Sequence, residues 1–335
     1  MNHDKNKIGV LLVNTGTPSE LTTKSIRRYL KEFLSDKRVI QLPRFFWLPI
    51  LYLFILVFRP RKKIKDYKKI WMENGSPLKV YTNKLLKKLN VNKSNKENIQ
   101  IDVAMRYGNP NIKDKLLKFK EKKINNLIII CMFPQYSFTT TESIKDKIQS
   151  SLIDLKWEPS INYVEEYYKE NLYLDAMCKN IDKNWEKKNQ KLIFSYHGLP
   201  KNYINKGDPY YHACLETSEL IAKKLKLKKN QYVTSFHSKF GFGEWTKPYT
   251  EDLIIELPRK GIRSISIVSP SFSIDCLETL EEIAIQFKEK FMKAGGEKFK
   301  YISCLNDQNE HVSLIKKLIL LNNIFTSSNI SKFKS

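Results

Sequence analysis

The sequence predicts an α/β fold with two domains that face each other across a cleft, and three observations lead to this prediction. Short apolar runs typical of buried strands recur at residues 8–13, 101–104, 127–132, 161–163, 192–194, 232–235 and 265–268. Amphipathic stretches rich in Lys and Glu lie between most of these runs, and strands that alternate with helices imply parallel sheets. The strands form roughly two sets of four, and 335 residues suffice for two domains.

The helical stretches follow the strands in a regular order. They are clearest at residues 112–122, 144–155 and 217–225, where apolar residues recur with helical period. We place the domain boundary near residue 150, which gives a first domain of residues 1–150 and a second of residues 151–335. A last helix at residues 310–321 has no strand after it, and the sequence leaves open whether it packs back on the first domain.

The composition limits the classes of protein. A hydrophobic fraction of 41% argues against a mainly disordered chain. The formal net charge is +24, but the lysines are spread along the chain, which favours solvated helix faces over a nucleic-acid-binding stripe. Such a surface also suits an anionic lipid or substrate. We therefore expect no nucleic-acid partner.

The cysteines and the N-terminus indicate a cytoplasmic protein. The chain has five widely spaced cysteines and no CxxC pair, which argues for a reducing compartment. The first apolar run, at residues 8–13, is too short for the core of a signal peptide and is typical of a strand.

One apolar segment differs from the rest of the chain. It begins at Phe45, ends at Phe58 and contains no charged residue, whereas a membrane-spanning helix needs about 20 residues. It is either a buried core helix or a lip that enters the bilayer interface, anchored by Trp47, Tyr52 and the basic cluster at residues 59–63. We favour the lip.

His197 lies at the end of a predicted strand and beside a loop. The apolar run at residues 192–194 reads as buried, and Gly198 and Pro200 end it. In open α/β sheets, ligands bind outside the carboxyl ends of the strands. From these residues alone, His197 is either a site residue or a hydrogen-bonded structural histidine.

Four loops that follow strands carry polar or aromatic groups. Three of them, at residues 14–18, 134–143 and 236–250, suit helix capping or core packing as well as ligand binding. In the fourth, Asp275 is predicted to cap a helix with Glu278 in a capping box, and Glu282 shares a helical face with Glu278. Capping does not explain all three carboxylates. The alternative is that these three carboxylates form an acidic row along which protons or metal ions move. An imidazole together with a carboxylate suits the binding of a divalent metal or acid–base catalysis.

The chain resembles the ferrochelatases, enzymes that insert ferrous iron into a porphyrin. The resemblance rests on the order of the segments at residues 11–18 (LLVNTGTP), 28–30 (RYL), 33–36 (FLSD), 75–78 (GSPL), 104–108 (AMRYG), 134–137 (PQYS), 196–200 (YHGLP), 207–210 (GDPY) and 275–280 (DCLETL). It implies two similar Rossmann-like, chelatase-type domains with the porphyrin in the cleft between them.

The resemblance also assigns roles to individual residues. It implies that His197 and Glu278 are catalytic and bind the metal, and that Asp275 and Glu282 lie on a proton or metal path. Positions around the porphyrin correspond to Thr15, Ser76, Arg106, Tyr107, Gln135, Tyr136, Ser137, Trp245 and Phe272.

The chain departs from some relatives at three positions. Thr15 stands where some have Met or Tyr, Cys276 replaces a histidine, and Gln286 replaces a further carboxylate. No cysteine cluster follows Glu310, so we expect no iron–sulfur cluster and no cofactor beyond the substrate Fe²⁺.

The function that follows from the resemblance is insertion of Fe²⁺ into protoporphyrin IX. The apolar lip favours this apolar dicarboxylate over the more polar coproporphyrin, and it predicts peripheral attachment to the inner face of the cytoplasmic membrane. Two alternatives remain, namely a chelatase for coproporphyrin or another tetrapyrrole or metal, and a porphyrin or heme carrier without catalysis.

Overall fold

The structure is a computed structural model that describes residues 7–91, 98–186, 190–239 and 243–332, with side chains described up to residue 323. Within these ranges the chain forms eight strands, namely β1 Ile8–Gly16, β2 Ile99–Tyr107, β3 Asn126–Cys131, β4 Ser160–Val164, β5 Lys191–His197, β6 Tyr232–His237, β7 Ser264–Val268 and β8 Lys298–Ile302. The α-helices of the first half are α1 Thr23–Leu34, α2 Arg44–Ile50, α3 Leu56–Ile70, α4 Pro77–Val91, α5 Ile112–Glu121 and α6 Ser143–Leu155. Those of the second half are α7 Asn171–Asn184, α8 Lys201–Asn205, α9 Tyr210–Lys224, α10 Thr250–Arg259, α11 Lys288–Lys293 and α12 Asn309–Lys332. Three segments are π-helices: π1 Leu51–Ile55, π2 Phe138–Glu142 and π3 Glu278–Phe287.

The predicted fold class is confirmed. The described residues form two four-stranded sheets, ordered β2-β1-β3-β4 and β6-β5-β7-β8, and every pairing within them is parallel. Helices connect the strands, as the alternating pattern predicts. The strand β8 was not among the predicted runs because its sequence, KFKYI, alternates Lys with aromatic residues. Such alternation is typical of a half-buried strand, and β8 lies at the edge of its sheet.

The first compact unit contains residues up to Phe133, Phe138–Glu166 and the chain from Asp307 onward. Its core packs α5 and α6 against β1, β2 and β3 through fully buried side chains such as Leu11, Phe119 and Ile148. The last helix, α12, whose position the sequence left open, packs against α4 and against β3 and β4. It runs beyond the predicted end at residue 321.

The second compact unit contains Pro134–Ser137 and Tyr167–Asn306. Its core packs α10, π3 and α11 against β5, β7 and β8 around Ile193, Phe287 and Phe291. Residue 150, the predicted boundary, instead lies inside α6 of the first unit. The segment Pro134–Ser137 belongs to the second unit, where the Pro134 carbonyl accepts hydrogen bonds from the N–H groups of Tyr167 and Tyr168 at 2.9 and 3.0 Å. No sequence pattern marks this short excursion.

The apolar segment is a helix interrupted by a π turn, formed by α2, π1 and the start of α3. One face is buried through Trp47, Leu51 and Leu56. The segment also exposes a set of large apolar side chains, namely Phe45, Phe46, Ile50, Tyr52, Leu53, Phe54, Val57 and Phe58. We call this set the apolar face. The alternative of a wholly buried core helix is therefore wrong.

One detail of the predicted lip is also wrong. Trp47 does not lie at the exposed side, because its ring is buried and its Nε1–H donates to the Leu34 carbonyl at 2.7 Å. Trp47 holds the segment on α1, whereas Tyr52 is exposed as expected. Among the described helices, none combines the length and the apolar character that crossing a membrane would require.

Candidate active site

Strands β5 and β6 end side by side, and each ends in a histidine. His197 and His237 are partners in the parallel register, and their ring centroids lie 5.8 Å apart. His197 is half-buried, and its Nδ1 lies 2.8 Å from the Gly198 carbonyl oxygen. Since a carbonyl oxygen only accepts hydrogen bonds, Nδ1 carries the hydrogen and Nε2 of the neutral ring carries a lone pair. His197 is thus prepared to accept a proton or to bind a metal through Nε2.

Gly198 lets this turn pack closely. A Cβ atom at Gly198 would lie 3.0 Å from the His237 carbonyl oxygen and 3.3 Å from the ring of Trp245. The Gly198 N–H donates to the same His237 carbonyl at 2.7 Å. A side chain here would disturb the contact that fixes the end of β5, so the glycine sets the position of His197.

His237 was not predicted as a site residue. It is 3% exposed, and its Nδ1 lies 2.9 Å from the Ser195 hydroxyl, which continues through Thr250 to Ser235 as a chain of buried hydroxyl groups. Burial, with the nearby charge of His197, holds the pKa of His237 well below its usual range. Nε2 of His237 is buried without a hydrogen-bond partner in the described structure. The missed signal was a second histidine at the matching end of the next strand.

Two predicted aromatic residues lie against this pair of histidines. Phe272 stacks on the ring of His237 with a centroid distance of 5.8 Å, and it is half-buried. Trp245 is largely buried against Gly198, and its backbone bridges to Pro200. Phe272 thus covers one face of the His237 ring, and Trp245 packs on the turn that follows His197.

Asp275 is held by four donors rather than acting as a helix cap. Its carboxylate accepts hydrogen bonds from the hydroxyls of Thr279 and Tyr301, the amide of Asn306 and the N–H of Cys304. The predicted capping box is wrong, because Thr279, not Glu278, reaches back to the N–H of Cys276 at 2.9 Å. A threonine hydroxyl serves as acceptor there as well as a carboxylate would.

Glu278 and Glu282 lie on a π-helix instead of the expected α-helix. In π3 each N–H bonds to a carbonyl five residues back, so the turn is wider, and the sequence carries no signal for this. Both oxygens of Glu282 bind Ser238, Oε1 to its N–H at 2.9 Å and Oε2 to its hydroxyl. Burial raises the pKa of Glu282, and the charge of Glu278 adds to this, while Ser238 and His197 oppose it. The charges of His197 and Glu278 therefore act on the ionisation of Glu282 in opposite directions.

Cys276, which replaces a histidine of some relatives, is buried beside Glu278. Burial and the Glu278 charge raise the pKa of its thiol well above the usual range, so it stays protonated. Gln286, which replaces a carboxylate, donates to the buried carboxylate of Glu281. Within the described residues, no group of three or more His, Cys, Asp or Glu side chains is placed to hold a metal ion. An ion bound at His197 or Glu278 needs further ligands from elsewhere.

The segment Pro134–Ser137 is fixed to the second unit by its own side chains. The Gln135 amide donates to the Thr217 hydroxyl at 2.9 Å, and the Ser137 hydroxyl donates to Asp208 at 2.9 Å. Gln135 and Ser137 are buried, whereas Tyr136 is half-buried. In this structure Gln135 and Ser137 position the segment, and Tyr136 is its more exposed side chain.

Four predicted residues lie in the first unit. Arg106 and Tyr107 both donate to Asp36, and both contact Ser143. Tyr107 is buried, which raises the pKa of its hydroxyl well above the usual range. Its hydroxyl holds Asp36 and Ser143 in this structure, and its contact with a porphyrin stays a prediction.

The two remaining residues of the first unit differ in exposure. Ser76 is buried, and its hydroxyl accepts a hydrogen bond from the Lys79 N–H at 3.3 Å, which caps the start of α4. Thr15 is half-buried near the end of β1, and its N–H donates to the Asn14 side chain at 2.7 Å. The Thr15 side chain is the more accessible of the two.

Comparisons with known proteins identify the family. A family model described as ferrochelatase matches residues 7–322. The ferrochelatase of Alcanivorax borkumensis is 43% identical over 317 residues, which cover 93% of both chains, and that of Vibrio atlanticus is 41% identical over 94% of this chain and 98% of its own. SirB from Bacillus subtilis, solved with Fe³⁺, shares the fold with a TM-score of 0.56 and 11% identity over 98% of both chains. The chain therefore belongs to the ferrochelatase family, whose members are lyases of heme biosynthesis.

Proposed function

We propose that this chain inserts Fe²⁺ into protoporphyrin IX to form protoheme, the terminal step of heme biosynthesis. The observation that carries the proposal is the state of His197. Its ring is fixed through Nδ1 by the Gly198 carbonyl, and its Nε2 keeps a lone pair at the carboxyl end of β5. Once His197 has accepted a proton, its charge lowers the pKa of Glu282, which Glu278 raises. Basic and acidic groups thus meet at one site.

The reaction requires both kinds of group. Insertion replaces two pyrrole N–H hydrogens by one Fe²⁺, so two protons leave for each ion that enters. A neutral imidazole and a carboxylate can each accept a proton or bind a divalent ion. We assign both tasks to His197 and Glu278. We place Asp275 and Glu282 beside them on the path of protons or metal, with Asp275 as the most firmly held member.

A rigid site also favours the reaction through the shape of the macrocycle. A flat porphyrin hides its nitrogen lone pairs, and bending the ring exposes them. Binding energy from the ring and its propionates can support such strain. Among the residues assigned to the porphyrin, we propose direct contacts for Thr15, Tyr136, Trp245 and Phe272. The buried residues Ser76, Tyr107, Gln135 and Ser137 support them, and Arg106 would contribute charge only in competition with Asp36.

The preference for protoporphyrin IX over coproporphyrin rests on the apolar face. Its large apolar side chains are followed by the exposed basic residues Arg61 and Lys62. Aromatic side chains next to basic residues suit a bilayer interface with anionic lipid. We propose peripheral attachment of this cytoplasmic protein to the inner face of the membrane, where an apolar dicarboxylic porphyrin would partition.

The deciding experiment is an iron-insertion assay with purified protein, Fe²⁺ and each of the two porphyrins, followed by the absorption of the metalloporphyrin. Faster turnover with protoporphyrin IX is expected. A clear preference for coproporphyrin would contradict the substrate assignment. Porphyrin binding in a 1:1 ratio without turnover would instead indicate a carrier.

The absence of a resident cofactor remains a prediction. Iron enters this proposal as substrate. The five cysteines are buried and distributed over both units. Iron and acid-labile sulfide analysis of the protein purified without oxygen should find no stoichiometric sulfide, and about one sulfide per iron would contradict the prediction.

A further inference from the structure

Two residues with left-handed backbone conformation hold the outer carboxylates of the acidic row. Five non-glycine residues in the described chain have positive φ, and three of them, Lys123, Lys156 and Lys226, lie at the ends of helices, where this conformation is common. The other two are Ser238, with φ of 61°, and Asn306, with φ of 47°. L-residues rarely adopt this conformation, and where they do they often mark a functional constraint.

Asn306 fixes Asp275 at one end of the row. The Asn306 side-chain amide donates to Asp275 Oδ2 at 2.6 Å, and its oxygen accepts the Asp275 N–H at 2.8 Å. Thr279 and Tyr301 complete the contacts to the other carboxylate oxygen. Asp275 is 2% exposed, so it is a buried and immobile member of the row.

Ser238 fixes Glu282 at the other end. The backbone N–H of Ser238 donates to Oε1 at 2.9 Å, and its hydroxyl bonds to Oε2. A carboxylate oxygen has two lone-pair directions, so these bonds alone do not forbid a metal contact. They do fix the direction of the carboxylate, because each of its oxygens can turn to another partner only by breaking a charge-assisted bond.

Glu278 lies between these two fixed residues and is held less firmly. It is half-buried on the first turn of π3, and it interacts with the buried thiol of Cys276, a weak donor. Nothing comparable to the bonds of Asn306 or Ser238 is seen for its carboxylate within the described residues. Its oxygens therefore remain accessible to an incoming ion.

We propose that Ser238 is a positioning residue that withholds Glu282 from the metal, so that this carboxylate does not join the proposed ligand Glu278 in binding the ion. This inference rests on the proposed function and goes beyond it, because it gives Ser238 the role of keeping Glu282 away from the ion. It agrees with the finding that no three metal-binding side chains cluster in the described structure. It makes Ser238 a determinant of metal affinity without contact to the metal.

The test is a titration of the metal alone into the full-length protein without porphyrin. Co²⁺ is the probe, since its visible absorption reports the number and type of ligands. Ser238→Gly suits the left-handed backbone and removes the hydroxyl, so that only the backbone N–H still holds Glu282. It should bind Co²⁺ about tenfold more tightly, with an altered spectrum, because the released Oε2 of Glu282 becomes a ligand. Ser238→Asn keeps a donor and tolerates the same conformation, so it should stay close to the wild type. Unchanged or weaker binding by Ser238→Gly would overturn the inference.

Two further variants test the inference even where Ser238→Gly folds poorly. Glu278→Gln should weaken Co²⁺ binding, whereas Glu282→Gln in the wild-type background should leave it unchanged. In the double variant Ser238→Gly/Glu282→Gln, the gain in affinity should disappear. Weaker Co²⁺ binding by Glu282→Gln alone would show that Glu282 is already a ligand and would contradict the proposal.

Iron-insertion kinetics separate this inference from the proposed function. If the wild type binds Co²⁺ through Glu278 but inserts no Fe²⁺, the proposed function fails and the ligand assignment stands. In an active enzyme, Ser238→Gly should lower both KM for Fe²⁺ and kcat, since the ion is held more tightly before transfer. A structural defect alone would lower kcat without lowering KM, and that result would reject the positioning role.

Discussion

The two units hold their candidate side chains in opposite ways. In the first unit, Arg106 and Tyr107 are joined to Asp36 and Ser143, and the polar atoms of this group satisfy one another. In the second unit, His197 uses one ring nitrogen for its own fixation and keeps the other for chemistry. The comparison indicates that the polar group of the first unit is a rigid support. In the second unit, His197 keeps one ring nitrogen available for a proton or a ligand.

The strongest test of this contrast is the removal of the His197 imidazole. His197→Ala should lower kcat for iron insertion by about 10²- to 10⁴-fold, the usual contribution of a positioned acid or base. Steady-state insertion assays measure the effect. His212→Ala is the matched control, because His212 is exposed on α9 and should retain turnover close to that of the wild type. Turnover of His197→Ala near that of the control would end the assignment of a reactive role.

The matching test in the first unit concerns stability. Asp36→Ala removes the acceptor that Arg106, Tyr107 and Ser143 share. The ion pair between Arg106 and Asp36 is largely buried, since the two side chains are only 16% and 6% exposed. Loss of this acceptor leaves the buried Arg106 charge without its counter-ion and should lower the free energy of unfolding by about 3 kcal/mol. Urea unfolding measures the change. Glu297→Ala breaks the exposed pair with Arg263 and should cost less than about 1 kcal/mol. If the two variants lost the same free energy of unfolding, the buried Asp36 group would be no more important for stability than a surface ion pair.

Much of the fold could be predicted from the sequence, because the periodicity of apolar residues reflects burial directly. The strand that ends at His197 and the helix over residues 112–122 were recognised in this way. The unrecognised parts depend on bonds between distant residues. The π-helix at Glu278 and the left-handed turn at Ser238 have no local residue signature, since tertiary contacts stabilise them.

The same reason explains the gaps in the site. His197 could be found from its position after a buried strand. The exclusion of Tyr107 from the accessible surface required its partner Asp36, which lies 71 residues earlier in the chain. His237 could have been found by aligning the ends of neighbouring parallel strands, but sheet order is not contained in a single strand's pattern.

The pH dependence of stability sharpens the description of the acidic row. Because burial, with Glu278, raises the pKa of Glu282, the folded state favours its protonated form. The stabilising contribution is complete below the ordinary value of 4.5 and is lost as the pH rises through the raised pKa. The neutral variant Glu282→Gln should therefore gain stability relative to the wild type as the pH increases above 4.5. Thermal unfolding across this pH range measures the difference, and a constant difference would contradict the shift.

The smallest expected effect concerns the apolar face of the first unit, which we propose to lie at the membrane. Phe54 is 59% exposed in this face, and Ile153 is 67% exposed on α6 of the same unit. If the apolar face enters the bilayer interface, Phe54→Ser should weaken binding to anionic liposomes by about tenfold, because burying a phenyl ring contributes about 1.5–3 kcal/mol. Ile153→Ser removes a similarly exposed apolar side chain elsewhere and should leave liposome binding unchanged. The two variants lose comparable exposed apolar surface. Equal sedimentation with liposomes would therefore show that the apolar face has no special role in membrane binding. A selective loss would show that the first unit anchors the protein through this face.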